Sequence, residues 1–416
     1  MANKSERKQK NVIEETIIVL AVIIAGFALQ FFTGDYNSFT GNFSSFSGIA
    51  NSFNGHFNSA FLAFPVNVIL IAILLLILFM KRSTALSRMA SGSLSVILLA
   101  TITLAALWMG LVTDNNVKIS WPFVLLYLLL LINLTAVISL RIKSLSVESK
   151  PHSLRSKSWS IRNISFLLNH VGLLVLLFAA GPGSADKARY FMRVGEGATE
   201  WRGELFSVTE LAPKDGALKE LPLAIELIDF NMEEYTPKLT VIDVNSGESM
   251  PKGKGVFFEA TPNTIATVQN WILKVDTFSY KPRYAPAAFV VATDLQGDTV
   301  TQGWVSCGNY FQTYKLLHLT DSLCVAMTFP EPQSFKSRVK VFTSDGKTAQ
   351  GEIMVNHPMK VGNWMIYQHS YDTQRGRDSE WSIFELIYDP WVILSYIGFG
   401  LLMIGSVTLF WKGGKR

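Results

Sequence analysis

Charge and cysteine are both scarce in this sequence of 416 residues. Asp, Glu, Lys and Arg supply 17% of it, apolar residues supply 49%, and the mean hydropathy is +0.28. A chain this poor in charge is not an ordinary soluble protein, so part of it belongs in lipid. The two cysteines, Cys307 and Cys324, lack the C-x-x-C spacing of a redox pair. The six histidines show neither H-E-x-x-H nor an i, i+4 pair, which argues against the familiar metal-hydrolase signatures. A G-x-S-x-G elbow, a Walker loop and a dinucleotide fingerprint after a strand are missing as well, so neither a serine nucleophile nor a nucleotide site is indicated. There is no fixed-period repeat.

What the sequence does contain is long apolar runs. A bilayer core about 30 Å thick requires about 20 mostly apolar residues in helix. Six stretches qualify: Thr16–Phe32, Leu62–Met80, Ser93–Val112, Pro122–Leu140, Ser165–Gly181 and Trp391–Trp411. The first lacks a small-x-small cleavage site and is followed by further spans, so it is expected to be a retained helix and not a signal peptide.

The net charge of +5 would suit a nucleic-acid partner if the basic residues clustered on one folded face. Instead they alternate between connections. Lys4, Arg7, Lys8 and Lys10 precede the first run, and Lys81, Arg82 and Arg88 follow the second. Arg141, Lys143, Lys150, Arg155, Lys157 and Arg162 follow the fourth, and Lys412, Lys415 and Arg416 follow the sixth. The two short connections on the other side hold only Lys118. This positive-inside pattern predicts six transmembrane helices with both termini cytoplasmic, a lipid bilayer as the main partner and no nucleic acid.

Between the fifth and sixth runs lies a long segment, about Pro182 to Pro390, with 20 basic and 26 acidic residues. It alternates Val, Ile, Thr and aromatic runs with Gly, Pro, Asn and Asp, as in PLAIELIDFNM, KLTVIDV, AAFVVATD and SRVKVFT. Asp345-Gly346 reads as a two-residue hairpin turn with positive φ at both positions. The fold class expected is a membrane protein of six transmembrane α-helices with an all-β, antiparallel sandwich-like domain inserted between helices 5 and 6. The corresponding domains are 1–181 for five helices, 182–390 for the exported β domain and 391–416 for the last helix and tail. The run GPGSADKARYFMRVGEG reads as a linker, and the uncharged Ser, Asn, Gly and Phe stretch from Asn37 to Ser59 as an interfacial outer loop.

His170 is the ionisable residue this reading places inside a span, and such a residue is a functional candidate by default. Its imidazole could ligate haem iron axially, or hydrogen bond to a neighbouring helix, for instance to Asn133 or Thr135. His357 and His369 flank a strand-like run and could approach each other or a haem edge, or be ordinary surface histidines. Cys307 and Cys324 fall in the exported segment, where an oxidising compartment permits a disulfide worth about 3 kcal/mol. Two unpaired buried thiols, or thiol exchange with the cysteines of a client protein, are the alternatives.

Several stretches resemble the ResB-like (CcsB) subunit of the system II cytochrome c synthase, in its Bacteroidetes form. They are NHVGLL at 169–174, EYTPKLTVID at 234–243, GWVSCG at 303–308, PEPQSFKSRVKVFTSDG at 330–346, VNHPMKVGNWMIYQHSYD at 355–372 and SIFELIYDPW at 382–391. The resemblance implies a multi-pass protein of the bacterial inner membrane with a periplasmic domain, handling haem b as a transported substrate. It also implies a CcsA/ResC-type partner with a tryptophan-rich WWD segment, delivery to apocytochrome c, and involvement of a thioredoxin-like thiol-reducing protein. On this basis His170 is the candidate axial ligand. The chain has no WWD-like cluster, so it would be at most the non-autonomous subunit of a holocytochrome c synthase. Two alternatives remain: a scaffold whose periplasmic domain docks apocytochrome or a thiol reductant while the partner holds every haem ligand, and a membrane receptor.

Overall fold

A computed structural model describes residues 2–32, 64–111, 120–147, 161–206 and 213–413. The Asn37–Ser59 stretch lies outside these residues. The chain divides into a helical unit, Met1–Lys187 with Asp389–Arg416, and a β unit, Ala188–Tyr388.

The helical unit contains α1 (Ala2–Phe32), α2 (Val66–Phe79), α3 (Thr84–Met89), α4 (Gly92–Leu111), α5 (Trp121–Val147), α6 (Ile161–Ala180) and α7 (Val392–Gly413). Five of them are long and apolar enough to cross a membrane. The stretch expected at Leu62–Met80 instead contains the 14-residue α2, whose rise of about 1.5 Å per residue falls short of the bilayer core. The protein is thus a multi-pass membrane protein with an all-β domain.

α5 is apolar on every side because it is surrounded. Leu126 and Leu130 meet Val19 of α1 and Leu94 and Leu98 of α4. Leu131 packs with Leu70 and Leu74 of α2 and Phe178 of α6, and Ala136 with Ile77 and Leu86. Polar side chains serve helix ends, whose backbone groups lack intrahelical partners. Trp121 N–H at the start of α5 donates to Gln30 Oε1 (2.8 Å). Leu78 C=O at the end of α2 accepts from Ser139 Oγ (2.8 Å) and Lys143 Nζ (3.1 Å). Asn133 accepts from Ser95 Oγ (2.8 Å) and donates to Met89 C=O (2.6 Å).

The β unit contains β1 (Ala188–Gly195), β2 (Thr199–Phe206), β3 (Pro213–Glu234), β4 (Lys238–Asp243), β5 (Phe258–Glu259), β6 (Ile265–Val268), β7 (Trp271–Ser279) and β8 (Ala287–Asp294). It continues with β9 (Thr299–Ser306), β10 (Leu317–His318), β11 (Leu323–Met327), β12 (Pro332–Thr343), β13 (Thr348–Met354), β14 (Met359–Val361), β15 (Trp364–Tyr371) and β16 (Trp381–Tyr388). Two four-stranded antiparallel sheets, β10-β11-β4-β5 and β6-β7-β8-β9, share one core in sandwich fashion. Alternation supplies it: Leu239 and Val241 of β4 and Val325 and Met327 of β11 meet Leu273, Val275, Val290 and Val305.

The third sheet has eight strands in the order β13-β12-β3-β2-β1-β16-β15-β14. One of its faces encloses a core of its own, including Met192, Ile225, Val341, Ile353, Ile366 and Phe384. It can do so because it curls: β13, at one edge, lies against β14 and β15 at the other, and a tight turn closed by Met354 and His357 joins the two edge strands. The run read as a linker is therefore wrong in part, since Ala188–Gly195 is β1, a central strand paired along its length with β16. The linker reading followed the glycines, whereas the Tyr190, Met192, Val194 alternation is what the sheet uses.

Candidate functional site

His170 sits on α6, whose neighbour is α7. A Cβ on Gly172 would lie 2.8 Å from Gly398 C=O, so the backbones touch where side chains are absent. Asn169 Oδ1 accepts from Ser406 Oγ (3.3 Å), and Ser165 Oγ donates to Thr408 Oγ1 (2.8 Å). These contacts fix one face of α6 against α7. His170 lies on another face and turns back along its own helix: its Nδ1 is 2.8 Å from Phe166 C=O, one turn earlier. A carbonyl can only accept, so Nδ1 is the nitrogen that donates in this contact, and Nε2 is the nitrogen that faces away from it. The Phe166 ring stacks on the imidazole at 3.8 Å between centroids, with 24° between planes. The contacts to Asn133 or Thr135 are not made: Asn133 is bonded to Ser95 and Met89, and Thr135 Oγ1 to Leu131 C=O.

Two ionisable residues of this unit escaped the sequence reading. Arg141, counted there as a loop charge, is on α5, which runs on to Val147. Its Nη2 donates to Asn163 Oδ1 (2.5 Å), and its guanidinium carbon stands 5.2 Å from the Phe166 centroid. Glu15, one residue before the first predicted span, is buried in α1 with Oε2 unpartnered. A third feature, around Asp186, joins α2 to α7. The Asp186 carboxylate accepts from Phe64 N–H (2.8 Å), Asn67 Nδ2 (2.5 Å) and Trp391 Nε1 (2.7 Å).

In the β unit, His357 is exposed in the β13–β14 connection, and His369 is the bulge residue of β15. His369 lies 4.5 Å from the Phe191 ring and 4.0 Å from Glu385 Oε2, which belongs to a carboxylate also paired with Arg189. The two rings therefore have different surroundings. Cys307 and Cys324 are both free and buried. Cys307 lines the sandwich core with Val325, whereas the strand alternation turns Cys324 to the opposite side of β11. The permitted disulfide is not formed. Burial pushes the Cys307 thiol up to about 11 and raises that of Cys324.

A cluster that the sequence did not signal lies between the sandwich and the curled sheet. Tyr280 OH donates to Glu234 at the end of β3, and the Arg377 guanidinium covers the Tyr280 ring at 4.2 Å. Burial holds the Glu234 carboxyl above its ordinary value, against the opposing effects of Tyr280 and Arg377. Tyr280 is raised by burial first and by Glu234 second. A cleft of about 370 Å³ opens beside Cys307, lined by Tyr310, Phe311, Tyr314 and Phe329. All four of these aromatic side chains are exposed. Among the described residues, no group of three His, Cys, Asp or Glu side chains is placed to hold a metal ion.

Residues 312–380 match the ResB-like family. The match runs from the cleft loop through β15 and includes His357, His369 and Cys324, but not His170. No curated protein matches the chain. Among solved structures, Cytochrome c Heme Lyase CcmF is similar, at 13% identity, over 94% of this chain and 44% of that one, with a TM-score of 0.25. The chain thus spans less than half the length of that protein, and so slight a likeness transfers no site.

Proposed function

We propose, from the premise that this is a ResB-like protein of cytochrome c biogenesis, that it holds haem as a substrate within the membrane for delivery to apocytochrome c. The observation that carries this reading is the 2.8 Å contact between His170 Nδ1 and Phe166 C=O. With Nδ1–H tied to Phe166 C=O, the ring is oriented and Nε2 is the atom left to donate to a metal. A backbone carbonyl behind a ligating histidine is a common device for fixing both its direction and its basicity. When bound, haem would supply an iron that accepts this imidazole on one face.

The second axial ligand would come from another polypeptide, a CcsA/ResC-type membrane partner carrying a WWD segment. His170 is the single histidine in the described helices of this chain. The membrane would be the bacterial inner membrane, with the β unit periplasmic and the termini cytoplasmic. That orientation rests on the distribution of Lys and Arg.

The test is to purify the chain with its membrane partner and compare wild type with His170→Gly. Wild type should carry haem with a six-coordinate low-spin spectrum, and the variant should lose it and regain it when free imidazole is added. Wild-type haem stoichiometry and spectrum in the variant would remove His170 as a ligand.

The exposed aromatic residues of the cleft favour a second reading, in which the β unit docks apocytochrome or a thioredoxin-like reductant while the partner holds every haem ligand. In that case His170→Gly would leave haem unchanged, and Tyr310→Ser with Tyr314→Ser would abolish capture of the apocytochrome peptide.

A further inference from the structure

Arg141 is half-buried, whereas Lys81, Arg82, Arg88 and Arg162 of the helical unit are exposed to solvent. Lys143, two residues on, donates to Leu78 C=O and Ser139 Oγ, and Lys187 is paired with Asp389 at 2.8 Å. Arg141 has one hydrogen bond, to the neutral Asn163, and forms no ion pair among the described residues. Its Nε is buried and has no hydrogen-bond partner. It nevertheless lies within Trp121–Leu145, a segment apolar enough to cross a membrane. A guanidinium there carries a full charge and five donors in a planar fork, and leaving part of that fork dry and unpartnered is costly. The group that would complete it is a carboxylate, whose two oxygens match the fork.

The neighbour of this orphaned donor is the ligand histidine. Phe166 stacks on the His170 imidazole at 3.8 Å and receives the Arg141 guanidinium at 5.2 Å. One phenyl ring thus joins a base that can take iron to a cation without an anionic partner among the described residues. Haem carries both complementary features, a metal at its centre and two carboxylates on one edge.

We infer that Arg141 binds a haem carboxylate and thereby sets which edge of the porphyrin faces the end of α5 bearing Arg141. This deepens the haem reading of His170 and rests on it. A lipid phosphate is the other anion that could reach the site, and the experiment separates the two.

The chain with its membrane partner in lipid nanodiscs is titrated with haemin and with haemin dimethyl ester, which has the same iron but no carboxylate charge. Tryptophan quenching and the Soret band report binding. Wild type should bind haemin at least tenfold more tightly than the diester, whether the nanodiscs are zwitterionic or contain anionic phosphatidylglycerol. Arg141→Gln should bind the two alike, and Arg141→Lys should retain part of the preference. His170→Ala should weaken binding of both porphyrins and, once free imidazole restores binding, should again prefer haemin.

Equal affinity of wild type for the two porphyrins would overturn the role of Arg141 and leave His170 standing, a result that needs no variant to fold. A preference lost when anionic lipid is added would assign the guanidinium to lipid phosphate and overturn it too. Binding of neither porphyrin would sink the haem reading itself and the inference with it.

Discussion

Gly172 and Gly398 meet backbone to backbone: a Cβ built on Gly172 would fall 2.8 Å from Gly398 C=O, and one on Gly398 would fall 3.0 Å from Gly172 C=O. Neither helix can yield a side chain's width here without the α6–α7 pair separating. Gly172→Leu should therefore destabilise the protein by about 1–3 kcal/mol, as overpacking does. Gly400→Leu, at a position with nothing within 4 Å, is the control. Thermal unfolding in nanodiscs, followed by tryptophan fluorescence, should show a fall in Tm for the first variant only. Equal behaviour of the two would mean that the helices do not pack through these glycines.

Asp186 gathers Phe64 N–H, Asn67 Nδ2 and Trp391 Nε1 on one carboxylate. Asn67 is fully buried and its Oδ1 already lacks a partner. Asp186→Ala strands its amide as well, and a buried donor without an acceptor costs about 1–3 kcal/mol. Asp186→Asn keeps one acceptor oxygen and should lose less. The check is the order of melting temperatures, wild type above Asn above Ala. An Ala variant as stable as wild type would show that the carboxylate holds nothing in place.

Legibility tracked how local each signal was. Helices announce themselves by composition, so the long apolar runs were readable, as was the hairpin at Asp345-Gly346, which joins β12 to β13. The turn type was not. Only Gly346 takes positive φ there (80°), and Thr343 N–H donates to Lys347 C=O at 3.0 Å, which marks a bulged three-residue loop in place of the two-residue one. Arg141 and Glu15 were missed because span ends were placed where charge begins, and a helix does not stop at its first charge. β1 was missed because the glycines of its run outweighed its alternation, and its pairing with β16 was out of reach for a different reason. Ala188 pairs with Tyr388 across the whole β unit, and no periodicity within either strand names so distant a partner. The Phe166 stack on His170 was present as an i, i+4 pair, but the Arg141 guanidinium comes to it from another helix.

Glu234 should make stability depend on pH. Its folded pKa lies above the ordinary carboxylate value, chiefly through burial, so the folded chain holds this proton more firmly than the unfolded one. The stability associated with it is complete below the ordinary carboxylate range and is lost as pH rises through the raised value. Glu234→Gln mimics the protonated state at every pH. The two proteins should melt alike in acid and diverge as pH rises, with the Gln variant the more stable. Parallel profiles across that window would show that Glu234 is not desolvated.

The cysteines offer a test of packing and of redox state at once. Burial raises both thiols, Cys307 to about 11, and the thiolate is the form that attacks an alkylating agent. Native protein at mildly alkaline pH should therefore react slowly with iodoacetamide at both positions. Unfolding without reductant should then release two reactive thiols, read by mass spectrometry as two added carbamidomethyl groups. Fast labelling of the native chain would mean that the cleft beside Cys307 admits water to the sulfur. No labelling after unfolding, reversed by reductant, would mean that Cys307 and Cys324 are joined, which would require β11 to present Cys324 on the face that now carries Val325.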